Sequence, residues 1–152
     1  MPMDARGADL RKGRYSEPGR IYLLTGVVHE RRPLFADFWL GRLVVMQLLQ
    51  AEQAGFARSL AWVVMPDHFH WLVELKAGSL GALMRRVKAG SSRAIVASGR
   101  ARPRIWQKGF HDSALPHEEH LQNAARYIVA NPLRAGLVQR IGDYPLWDAV
   151  WL

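Results

Sequence analysis

Residues 60–75, LAWVVMPDHFHWLVEL, read as two β-strands folded back on each other at Pro66-Asp67. The first arm is an almost unbroken apolar run, and the second alternates apolar with polar residues. Successive side chains of a strand point to opposite faces, so His68 and His70 share a face, roughly 7 Å apart at Cα. Phe69, Trp71 and Val73 then point the other way, into a core. Two imidazoles on one rigid strand are a starting pair for a divalent metal site. The other reading of the same residues is one turn-capping and one half-buried packing histidine.

Upstream of the hairpin, RIYLLTGVVH (20–29) has the β-branched and aromatic content of a central strand, and Arg31-Arg32-Pro33 breaks it. Asp37 is placed to cap a helix running to about Gln53, with Gly55 at its end. Downstream, Ser79 offers an N-cap for a second helix, in which Leu80, Leu83, Met84 and Val87 recur at helical spacing and Gly90-Ser91-Ser92 marks a possible bend. Ile105 to Asp112, IWQKGFHD, is expected as a fourth strand. A last helix is expected after Pro116, through HEEHLQNAARYIVA, with Glu118 and Glu119 at its positive end.

This order implies an α+β fold, a ferredoxin-like sandwich with a mostly antiparallel sheet and helices packed on one face. Residues 1–19 read as a basic N-terminal arm, 20–140 as the domain and 141–152 as a C-terminal tail.

At 152 residues and 49% hydrophobic content the chain is long enough for one well-buried core, and without cysteine it excludes disulfides, iron–sulfur clusters and thiolate metal sites. No window supplies the ~20 apolar residues of a membrane span, and the N-terminus has no signal-peptide core, so a cytoplasmic protein is expected. The net charge is +8 and unevenly spread. From Lys76 to Lys108 there are nine basic residues and no acid, among them Arg85, Arg86, Lys88, Arg93, Arg104 and Lys108. A one-sign segment of that length favours a polyanion over simple solvation, and the tryptophans and tyrosines offer platforms for unpaired bases. Nucleic acid is therefore the favoured partner.

On the last helix Tyr127 and Asn131 are four residues apart, hence on one face about 6 Å apart along the axis, with Asn123 on the same row. A tyrosine among small residues is also a common core residue. Asn131, just before Pro132, is equally suited to start a further turn. Glu74 shares the histidine face, where it would orient a ligand or pair with a basic residue. His111, His117 and His120 suit surface or capping roles.

Taken together, MPDHFHWLVEL, WQKGFHD and ARYIVANPLRAGLV resemble the single-tyrosine HUH transposases, and within them the REP-associated tyrosine transposases, over roughly residues 20–140. The resemblance implies His68, His70 and Asn131 as ligands of a divalent metal, Mg²⁺ or Mn²⁺, and Tyr127 as nucleophile. It implies a single-stranded DNA endonuclease and strand-transferase acting at REP-type hairpins through a covalent 5′-phosphotyrosine, with a monomer favoured over a homodimer. It also assigns guide-strand reading to the basic arm, where Arg11, Lys12, Arg14 and Tyr15 are the candidates. Arg85, Arg86, Lys88, Arg93, Arg104 and Lys108 are the candidates for holding the hairpin backbone. The alternative is a hairpin-binding protein that does not cleave, with a regulatory or structural role.

Overall fold

The structure, a computed structural model, describes residues 16–115 and 120–151. Five strands, β1 (Ile21–Val27), β2 (Ala57–Met65), β3 (His68–Leu75), β4 (His111–Leu115) and β5 (Trp147–Ala149), form one antiparallel sheet in the order β4-β1-β3-β2-β5. The hairpin of residues 60–75 is thus its centre. Pro66 and Asp67 make the turn, and β3 is paired on both sides.

Two long helices cover one face. α1 (Phe38–Gln53) starts where Asp37 accepts a hydrogen bond from the Trp39 amide, and α2 (Leu80–Ala97) where Ser79 accepts one from Ala82. Caps of this kind stabilise a helix by about 1 kcal/mol. Both helices pack on Tyr22, Leu24, Trp62, Val64, Phe69, Trp71 and Val73. α2 runs unbroken through Gly90. A Cβ there would sit 2.0 Å from Gln47 Oε1 of α1, so the small residue leaves room for that side chain between the helices and does not mark a bend.

The sandwich has a third layer. α3 (Leu121–Val129) lies on the opposite face, where Leu121, Ala125, Ile128 and Val129 bury against Leu60, Val63, Met65 and Leu72. The α+β antiparallel architecture agrees with the sequence reading, but its helices occupy both faces. The cause is visible in β2, whose apolar run is buried on both sides and therefore needs cover on both.

Two further differences have local causes. The fourth strand is HDSAL at 111–115. Ile105 and Trp106 belong to a loop that is stitched to the end of β1 by the Val28–Trp106 bridge, and Trp106 packs on Phe35 and Phe69. Its aromatic content serves core packing and not a strand. The stretch 141–151, read as a tail, supplies β5 along β2, with Leu146 buried and the Tyr144 hydroxyl donating to Val64 O at 2.5 Å. Burial pushes the Tyr144 phenol up to about 12, so it remains a donor. No helix among the described residues is long and apolar enough to cross a membrane.

Candidate metal and tyrosine site

His68 and His70 do lie side by side, with ring centroids 4.8 Å apart. They share the face of Leu72, which is the α3 face of the sheet. Each ring is held through Nδ1. His68 Nδ1 is 2.6 Å from Asp67 Oδ1, and an ionised carboxylate only accepts, so the His68 proton sits on Nδ1. Asp67 is held in turn by Arg31, whose Nη1 donates to Oδ2 at 2.8 Å. Burial alone would raise the Asp67 carboxyl, but hydrogen bonds and charge from His68 and Arg31 outweigh it and keep it below the usual value. His70 Nδ1 lies 2.8 Å from Thr25 Oγ1, its cross-strand neighbour on β1. Both rings thus turn Nε2 away from these partners, and His70 offers its Nε2 lone pair to a ligand in the tautomer whose Nδ1–H donates to Thr25.

His70 is also held neutral. Burial first, then the charges of His68 and Arg134, push it down from 6.5 to about 4. Neutral imidazole is the form that binds a cation, so the neutral His70 and the Nδ1 contacts that hold both rings suit a divalent metal. Among the described residues no third His, Asp or Glu completes a cluster with the pair. Asn131 opens the short helix α4 (Asn131–Arg134), directly after α3. Its Nδ2 donates to Ile128 O at 2.9 Å, which leaves Oδ1 as the atom suited to a cation.

Tyr127 is on α3 with its side chain largely exposed (63%), on the same side of the sheet as the histidines. The Arg134 guanidinium lies 3.9 Å from the Tyr127 ring centroid and donates to Tyr127 O at 2.6 Å. Such a stack at an exposed position contributes about 0.5–1 kcal/mol. The same charge contributes to the lowering of His70. The resemblance passed over Arg134, although it lies within the quoted ANPLRAGLV. Thr25, Asp67 and Arg31 were also missed; only the strand register would have pointed to Thr25.

The remaining candidates are scattered. Glu74 pairs with Arg58 at 2.9 Å and Lys76 at 3.6 Å, so of its two expected roles it takes that of binding basic residues. Arg85, Arg86 and Arg93 border an open groove with Gln47 and Gln50 of α1, on the face opposite the histidines. Arg86 also stacks over Phe56 at 4.7 Å. Lys88 Nζ donates to Gln107 O at 2.9 Å and to Gly109 O. Arg104 and Lys108 are exposed on the loop bridged to the end of β1. Arg11, Lys12, Arg14 and Tyr15, like His117, Glu118 and Glu119, lie outside the described residues.

The family model described as "Transposase IS200 like" matches residues 21–131. A REP-associated tyrosine transposase of Escherichia coli K12 is 29% identical over 87 residues, 56% of this chain and 50% of that protein. The match therefore spans half the length of that relative. A Haemophilus influenzae protein assigned provisionally to the same group is 23% identical over 138 residues, 84% of this chain and 78% of its own. Among solved structures, a REP-associated tyrosine transposase bound to a REP hairpin superposes with a TM-score of 0.73 at 23% identity, covering 88% of this chain and 79% of that one.

Proposed function

This chain belongs to the IS200-like transposase family, and from that premise we propose that it cleaves and rejoins single-stranded DNA beside a REP-type hairpin through a covalent link to Tyr127. The observation that carries the reading is the pair of Nδ1-anchored imidazoles on the face that α3 covers, the helix that also carries the exposed Tyr127.

The Tyr127 phenol oxygen attacks the scissile phosphorus, and the bond from phosphorus to the 3′-oxygen breaks. The phenol gives up its proton, and the departing oxygen gains one to become a free 3′-hydroxyl. Tyr127 then holds the 5′-phosphate, with the energy of the broken ester kept in the new one, so a 3′-hydroxyl can reverse the step without a nucleotide cofactor. His68, His70 and Asn131 would hold Mg²⁺ or Mn²⁺, which when bound supplies positive charge to the phosphate oxygens. The chain's own part is to keep the His70 imidazole neutral, to hold both rings through Nδ1 and to carry an exposed phenol on the same side of the sheet.

Hairpin DNA is the proposed partner. Arg85, Arg86 and Arg93 on the far face, with Arg104 and Lys108 at the end of the sheet, are proposed to grip its backbone. Binding should then weaken steeply with salt. The Arg11, Lys12, Arg14 and Tyr15 arm is proposed to read the flanking strand. Because α3 packs on its own sheet, one chain carries all the groups named, which favours action as a monomer.

The test is a denaturation-resistant adduct between the protein and an end-labelled hairpin with single-stranded flanks, in Mn²⁺. Wild type is expected to form it and Tyr127→Phe to lose it while binding DNA unchanged. Tight binding without adduct would replace this reading with a non-cleaving hairpin binder, and adduct from Tyr127→Phe would remove the tyrosine from its role.

A further inference from the structure

We infer that Arg134 is a positioning residue for Tyr127, setting the direction in which the phenol approaches its phosphate; the inference rests on the reading of Tyr127 as nucleophile. Tyr127 lies within the last turn of α3, where carbonyls run out of intrahelical donors. Arg134, one short helix later, donates to the Tyr127 carbonyl at 2.6 Å. Its planar guanidinium also lies over the Tyr127 ring at 3.9 Å. The backbone and the ring of one residue are thus held by one side chain, and this fixes the two torsions that aim a tyrosine hydroxyl. An exposed tyrosine on a helix would otherwise rotate freely, and a misaimed nucleophile costs rate even when substrate binds normally.

The fork geometry makes arginine specific for this task. Lysine could supply a donor for the carbonyl but not a flat surface over the ring. A guanidinium has five N–H groups, and the two contacts named leave donors facing outward.

The experiment measures single-turnover adduct formation in Mn²⁺ with a pool of end-labelled hairpins carrying randomised single-stranded flanks, alongside hairpin affinity and helix content. Arg134→Ala is expected to slow adduct formation by about 100-fold, in the range found for loss of one oriented donor, with affinity nearly unchanged. Guanidinium ion added to Arg134→Ala should restore part of the rate, which a purely structural role would not allow. Arg134→Lys should keep the fold and remain well below wild type. Arg140→Ala, a surface control paired only with Asp143 in the described residues, should cleave normally. Arg134→Ala or Arg134→Lys cleaving at the wild-type rate overturns the inference. So does loss of adduct together with loss of affinity or helix content, which would make Arg134 only a helix cap. A wild type that forms no adduct overturns the functional reading and this inference with it.

Discussion

Thr25 Oγ1 lies 2.8 Å from His70 Nδ1, directly across the β1–β3 pair, and so selects which ring nitrogen faces the site. Thr25→Val keeps the shape and removes the partner. Mn²⁺ affinity is expected to fall about 10-fold or more, by calorimetry, with little change in fold. Unchanged affinity would show that the hydroxyl does not orient the ring.

The low proton affinity of His70 has a signed effect on stability. In metal-free protein the unfolded chain takes up this proton near 6.5 and the folded chain only near 4. Between these values the unfolded state holds more protons, so stability rises with pH and is lost as pH falls from 6.5 toward 4, by on the order of 3 kcal/mol in full. Asp67 and Glu74, held below their ordinary values, give way only in more acidic solution. Urea midpoints with chelator present, at about pH 7 and about pH 5, should fall further for wild type than for His70→Asn. Parallel losses would refute the assignment.

Glu74 shares a face with the histidines yet is committed to Arg58 and Lys76. Glu74→Gln should cost no more than about 1 kcal/mol, as exposed ion pairs generally do, and should leave adduct formation intact. A large loss of cleavage would restore it as part of the site.

Leu146 is buried and reaches Gly41 of α1, where an added Cβ would sit 2.5 Å from Leu146 Cδ1. Leu146→Ala should destabilise the whole domain by about 2–5 kcal/mol in denaturant titration. A separate, earlier transition for residues 141–151 would show instead that this segment folds apart from the rest.

The centre of the fold was legible because strong signals coincide there. The apolar run, the Pro66-Asp67 turn and the period-two alternation all specify one hairpin, and Asp37 and Ser79 each precede a helical pattern they do cap. The edges were not. β4 is a polar, partly exposed strand and β5 is three residues long, so neither carries a hydrophobic period. The aromatic IWQKGF outcompeted β4 in the reading because its rings fill the core from a loop. For the site, spacing alone brought out His68 and His70, whereas Thr25 and Arg31 act through pairings 45 and 36 residues distant.

Glu30 and Arg31 both adopt positive φ, 58° and 52°, a conformation non-glycine residues take only under constraint. That kink delivers the Arg31 guanidinium to Asp67, and Asp67 to His68. A solvent-facing arginine therefore helps to set the orientation of a ring it never touches. Selection or engineering could retune the chemistry from that distant loop, leaving every group at the reacting centre as it stands.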